Sequence, residues 1–168
     1  VYVNSGPIHL SGEDGQATGF VYIDGPLGRK DKTMELLLQI GIENSAAKYH
    51  KKYVPKVVSP NLLKWLDTAV AAGDVRAGGF IFPGFVGAKG KPAPSIQLWL
   101  DLANASLDYH PPWPAVNGVD AQLVLDDQHL LVNANKGSIY QSTLRHARVE
   151  LRSDAQAEKQ LMIDGELF

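Results

Sequence analysis

The stretch GVDAQLVLDDQHLLVNAN, residues 118–135, decides the fold class because its apolar residues alternate with polar ones. Successive side chains of a β-strand point to opposite faces, so a period of two predicts one apolar and one polar face. The apolar phase on either side of the polar segment Asp126–His129 consists of Val119, Ala121, Leu123, Leu125, Leu130, Val132 and Ala134. The stretch therefore predicts an antiparallel hairpin with a short polar turn.

The same alternation continues on both sides of this hairpin. Apolar residues occupy even positions in Ile96–Leu102 and odd positions in Ala105–Tyr109, so a β-bulge near Ala103–Asn104 would keep the apolar face continuous. Thr33–Glu43 repeats the strand pattern. Weaker strand candidates are Val1–Leu10, Gln16–Asp24, Asp74–Phe82, Ser138–Leu151 and Gln160–Phe168. The pattern as a whole predicts about nine antiparallel strands.

One segment has the period of a helix instead. Ser59 is a suitable N-cap, Pro60 suits the first helical position, and Gly73 is a natural stop, which together predict a helix over Asn61–Ala72. Its apolar side chains fall on one arc of the helix, which has to pack against an apolar surface. The members of that arc are Leu62, Leu63, Trp65, Leu66, Ala69 and Val70. Pro83–Pro94, rich in Gly, Lys and Pro, is predicted to be a loop.

Length and composition limit the classes of function. The 168 residues suit a single domain, 1–168, and the strand-like pattern that already includes Val1 suggests a segment of a longer polypeptide. A net charge of −2 without a concentrated basic face argues against a nucleic-acid partner. The chain has no cysteine, which excludes disulfides and thiolate metal sites, and no apolar run has the length of a membrane span.

Residues suited to catalysis or metal binding occur without the spacing that such sites need. The five histidines show no metal-ligand spacing and are interpreted as surface or turn residues, so no metal site is predicted. Convergence across strands could still assemble an acid–base set. That set would contain Asp108, His110, Asp126, Asp127 and His129. Strand ends and turns favour such residues for solvation alone, so the sequence predicts no enzyme.

Two other features suggest binding surfaces. Trp99 and Trp113 could flank a sugar-binding platform, although both could equally cover apolar surface. A small basic cluster interleaved with tyrosines could contact anionic head groups or guard a strand edge. It contains Lys48, Lys51, Lys52 and Lys56.

Two longer blocks of the sequence carry a family resemblance. The first is SPNLLKWLDTAVAAGDVRAGGFIFPG, residues Ser59–Gly84, in which an apolar helix around a Trp-Leu pair precedes a glycine and a strand. The second is ASLDYHPPWPAVNGVDAQLVLDDQHLLVNANKGSI, residues Ala105–Ile139. Together the blocks resemble the YhdP family of AsmA-like bacterial envelope proteins, which implies a long curved antiparallel sheet forming an apolar groove. The resemblance also implies a periplasmic protein of a Gram-negative cell, anchored in the inner membrane by a part outside this chain.

The resemblance further implies a function without covalent chemistry or cofactor, in which phospholipid acyl chains travel along the groove towards the outer membrane. The expected partners are phospholipid, the membrane anchor and further groove segments of the same polypeptide. The hypothesised lipid-binding residues are Leu98, Leu100, Val119, Ala121, Leu123, Leu125, Leu130 and Val132. Alternation alone leaves two alternatives open, a β-sandwich that binds carbohydrate or peptide and a structural envelope scaffold.

Overall fold

A computed structural model describes residues 1–26, 33–49, 70–86, 95–108, 114–127, 129–152 and 160–168, without the side chains of Val70, Ala71 and Val86. These residues form one antiparallel sheet of ten strands. The strands are β1 Tyr2–Asn4, β2 Ile8–Gly12, β3 Gly15–Asp24, β4 Met34–Ala46, β5 Val70–Val86, β6 Gln97–Leu107, β7 Val116–Asp126, β8 His129–Ile139, β9 Ser142–Arg152 and β10 Gln160–Leu167.

The sheet is a meander in which strands that follow one another in the chain are neighbours from β3 to β10. At its first edge, β1 and β2 both pair with β3, at its two ends. The described part of the chain contains no second sheet packed on the first, so the β-sandwich alternative does not describe it. The prediction of a mostly-β antiparallel sheet is confirmed.

Two strand predictions and one loop prediction need correction. Val1–Leu10 is two strands rather than one, because extended pairing is interrupted at Gly6, whose φ is 62°, and at Pro7. Ser138–Leu151 contains the end of β8 and a turn before β9. The predicted loop Pro83–Pro94 begins too early, since β5 continues to Val86. Proline is tolerated there because the pairing of β5 with β6 starts only at Ile81, which leaves one side of β5 unpaired at Pro83.

The predicted helix Asn61–Ala72 lies mostly outside the described residues. Its last three residues belong to β5 instead, where Val70 pairs with Leu107, so the predicted helix end is wrong. Pairing with β6 outweighs the local helical pattern there. Among the described residues the only helical element is one 3₁₀ turn, Ala47–Tyr49, and no helix there could cross a membrane.

A line of register shifts crosses the sheet from β5 to β9. The shifts lie between Val75 and Ala77 in β5, between Leu102 and Ala105 in β6, and between Asn117 and Asp120 in β7, with another in β9 opposite Glu166–Leu167. Asn104 has φ 49°, and its backbone N–H donates to Asp120 Oδ1 at 2.9 Å. The bulge predicted near Ala103–Asn104 is therefore confirmed, and it is one of an aligned series.

An ion-pair cluster ties β8 and β9 together on the polar face. Glu150, only 5% exposed, accepts from Arg152 at 2.5 Å, from His129 Nε2 at 2.9 Å and from Arg148 at 3.3 Å. The hydrogen bonds from Arg152 and His129 lower the pKa of Glu150 to about 2, although desolvation by burial opposes them. Glu150 thus stays ionised and holds its three donors in place.

Two glycines of β5 provide a matched test of the packing. A Cβ at Gly73 would lie 2.6 Å from Ala105 Cα, and φ there is 127°, whereas a Cβ at Gly79 meets nothing within 4 Å. We expect Gly73→Ala to destabilise the fold by about 1–3 kcal/mol, because both the backbone strain and the overlap must be relieved. Gly79→Ala should leave stability unchanged or raise it by about 0.5–1 kcal/mol. Urea denaturation of both variants measures this, and equal losses would contradict the packing described.

Glu150→Gln should make stability less dependent on pH in the acid range. The pKa of Glu150 is lower in the folded state than its ordinary value of 4.5, so its stabilising contribution is complete above pH 4.5 and is lost as the pH falls towards 2. The wild-type protein should therefore exceed Glu150→Gln in urea midpoint at pH 7, and the difference should shrink as the pH falls below 4.5. Glu166→Gln, an exposed carboxylate on β10, is the control. A constant difference between pH 7 and 3 would refute the cluster's role.

Candidate functional site

The register aligns apolar side chains in rows that run across the strands. Directly paired residues of antiparallel strands point to the same face, so each row is a ladder of neighbouring side chains. The first row, from β2 to β10, is Ile8, Gly19, Ile40, Phe80, Leu98, Leu125, Leu130, Leu151 and Leu161. The second row is Leu10, Ala17, Ile42, Gly78, Leu100, Leu123, Val132, Val149 and Ile163.

No polar side chain interrupts either row over nine strands. With adjacent strands about 4.8 Å apart, each row is about 38 Å long when followed along the sheet. A shorter third row lies beside the register shifts and contains Val75, Leu102, Ala121, Ala134, Ala147 and Gly165. Together the rows form a continuous apolar face that reaches both edges of the described sheet.

All eight residues hypothesised to bind lipid lie on this apolar face. Leu98, Leu125 and Leu130 belong to the first row and Leu100, Leu123 and Val132 to the second. Ala121 belongs to the third row, and Val119 pairs with Ala105 just beyond it. The structure thus brings together residues from three strands, while contact with lipid stays a prediction.

The hypothesised set omits much of the same face. A cluster of apolar residues packs around Phe80 and Phe82 of β5, which are both 5% exposed. Its partly buried members are Leu36, Leu38, Ile40, Ile96 and Leu98. The alternation in Thr33–Glu43 was a usable signal for the β4 residues. In β5 the small residues Ala77, Gly78 and Gly79 separate Val75 from Phe80. The alternation of apolar and polar side chains could therefore not be followed through this strand.

The apolar face is most tightly packed beside the register shifts. Ala105 is 0% exposed and Val119 is 2% exposed there. A Cβ on Gly137 would lie 3.3–3.4 Å from side-chain atoms of Leu144, Val116 and Val119, so these neighbours fill the space above that glycine. Bulges bend the strands that carry them, and bulges aligned along one row bend the sheet along that row. The small side chains of the third row suit the inside of such a bend.

The opposite, outer face carries the polar side chains. Gln97 and Asp126 are directly paired there, as are Asp101 and Gln122 in the next row. An exception is an apolar patch at Trp99, which is 40% exposed. The outer face also carries the Glu150 cluster, so charge is confined to the side away from the apolar rows.

The acid–base alternative finds no assembled site among the described residues. Asp127 Oδ1 accepts from the backbone N–H of Ile96 at 2.7 Å, and His129 is bonded to Glu150, so both have structural partners. Asp126 pairs with Gln97 at the start of β6, whereas Asp108 follows the end of β6, so the two carboxylates lie at opposite ends of that strand. His110 lies outside the described residues. Among the residues that the structure describes, no group of three or more His, Cys, Asp or Glu side chains could hold a metal ion.

The comparisons with known proteins identify one family. A model of the family described as YhdP protein matches residues 7–167, which is nearly the whole chain. No curated protein and no solved structure is significantly similar to it. An open antiparallel sheet with an apolar face is compatible with a lipid-binding groove. Because the family match covers every strand from β2 to β10, the chain belongs to the YhdP family.

Proposed function

We propose that this chain is a non-enzymatic section of a periplasm-spanning protein, in which an apolar β-groove shields phospholipid acyl chains during transport between the inner and outer membranes. The observation that carries the proposal is the pair of uninterrupted apolar rows extending from β2 to β10. A hydrocarbon chain lying along the rows would meet only apolar side chains over about 38 Å. The proposal requires neither a cofactor nor a catalytic group.

The free energy of such shielding is substantial. Each acyl methylene removed from water contributes about 0.8 kcal/mol, so an acyl chain gains several kcal/mol from partial cover along the groove. Movement needs no large barrier when one apolar contact is exchanged for the next along a row. Rows that run across the strands supply this succession of equivalent contacts, whereas a pocket would hold the chain in one place.

The edges of the sheet support continuation of the groove by further strands of the same polypeptide. In the described structure β10 is an edge strand, paired only with β9, and its apolar residues are exposed. Gln160–Leu167 contains neither proline nor lysine, the residues that commonly protect an edge strand from pairing. At the opposite edge, Ile8 and Leu10 end the two rows and are likewise exposed.

Photo-crosslinking tests the lipid contact directly. Crosslinkers at Leu98 and Leu123 should capture phospholipid, because both side chains lie on the apolar face, in the first and second rows. Crosslinkers at Gln97 and Gln122, their neighbours in sequence on the outer face, are the matched controls and should capture little. The measurement is mass spectrometry of lipid adducts on the full-length protein in cells. Equal labelling of both pairs would refute the proposed lipid face.

A charge placed in the first row should reduce lipid binding. Leu98→Glu introduces a carboxylate among apolar side chains, whereas Gln97→Glu introduces the same charge on the outer face, one residue away. We expect native mass spectrometry to show at least a several-fold loss of bound phospholipid for Leu98→Glu only, since burying an unpaired charge costs several kcal/mol. Urea denaturation identifies any loss of folding. A folded Leu98→Glu protein with unchanged lipid content, or a wild type that carries none, would favour the structural scaffold.

A further inference from the structure

The outer face contains a cleft that the lipid-groove proposal does not use. The cleft has a volume of about 330 Å³ and is lined by Gly79, Ile81, Gln97, Trp99, Val124 and Asp126, together with Leu98 and Leu125. Gly79 pairs with Trp99 on one side and with Gly41 on the other, and no atom of the described residues lies within 4 Å of a Cβ built on Gly79. The indole therefore stands beside an open floor of two adjacent glycines.

Polar side chains bracket the indole along its own strand and along the next one. Gln97 and Asp101 lie two residues before and after Trp99, so all three point to the outer face. Across the strand pair, Asp126 and Gln122 occupy the matching positions around Val124. On β6 and β7 the apolar surface is therefore one residue wide along the strands, with an amide and a carboxylate at each border. The carboxylate of Asp101 is also paired with Arg76 at 3.1 Å.

This combination distinguishes between classes of ligand. A pyranose ring has an apolar face of C–H groups and a border of hydroxyls, which matches an indole bordered by amides and carboxylates that donate and accept hydrogen bonds. An amphipathic helix would need apolar anchors over several turns, and the polar neighbours of Trp99 interrupt such a strip. Across the strands, Trp99, Val124 and Leu131 are successive partners, which leaves room for more than one ring.

We propose that this cleft is a carbohydrate-binding site, in which a linear oligosaccharide lies across the strands on the outer face with one sugar ring stacked on Trp99. The amide nitrogen of Gln97 donates to Asp126 Oδ1 at 3.4 Å, and the remaining oxygen atoms of this pair are placed to accept from the hydroxyls at one border. The site is separate from the apolar rows, because it lies on the opposite face of the same strands. A glycan and a lipid could therefore be bound at once.

Isothermal titration calorimetry with chitotetraose, a linear β-1,4-linked oligosaccharide, tests the site in the purified chain. We expect saturable binding that Trp99→Ala weakens about two- to tenfold and Trp99→Phe partly retains, since a stacked aromatic contributes about 0.5–1.5 kcal/mol. Gly79→Leu should weaken binding as well, because the new side chain fills the floor of the cleft. Tyr140→Ala removes a highly exposed aromatic at the β8–β9 turn and should leave binding unchanged.

The result that overturns the proposal is an absence of saturable binding up to millimolar chitotetraose by a folded wild-type protein. Binding that persists undiminished in both Trp99→Ala and Gly79→Leu would also overturn it. A third contrary outcome is displacement of the sugar by palmitate in parallel with lipid uptake, which would show that the cleft takes acyl chains. The first two outcomes leave the lipid crosslinks unaffected, and the third would add lipid capture at Gln97, which lines the cleft, but not at Gln122, which does not. This proposal and the proposed function can therefore fail separately.

Discussion

The register of the cross-strand pairs is the constraint on which the rest of this structure depends. In a sheet, a shift of one residue moves every apolar side chain of a strand to the other face. From β2 to β10 each strand meets its neighbour in the register that places apolar opposite apolar. A one-residue shift of β7 against β8, which would separate Leu123 from Val132, would interrupt both long rows. The continuity of the apolar face therefore depends on the accuracy of strand pairing more than on any single side chain.

The aligned bulges are consistent with the same constraint. A single bulged strand would lose its phase relative to its neighbours, but shifts at the same level in successive strands let the apolar face continue past them. The small residues of the third row, such as Ala121 and Ala134, lie where the strands bend. Bending and continuity of the face thus come from one device, which explains why the most deeply buried residues, Ala105 and Val119, lie beside it.

The two faces of the sheet carry different chemistry because alternation directs successive side chains to opposite faces. The apolar face has no polar side chain in its two long rows. The outer face carries the Glu150 cluster, in which three donors on β8 and β9 pair with the Glu150 carboxylate. Trp99 departs from this division, since its ring lies among outer-face amides and carboxylates. Departures from a pattern this regular are informative, because the sheet gains no core packing from an aromatic ring on its outer side.

Much of this architecture follows from the sequence itself. Period-two alternation sufficed to predict the hairpin of β7 and β8, the bulge at Asn104 and the facing of Leu98 and Leu123, because side-chain direction in a strand is a local property. The pairing of β5, with its Gly78-Gly79 run, and the extension of strand over 70–72 needed the tertiary structure, since both depend on neighbours distant in the chain. The same is true of the Glu150 cluster and the Trp99 cleft. Only the assembled register brings residues of different strands within contact, and no local pattern encodes that distance.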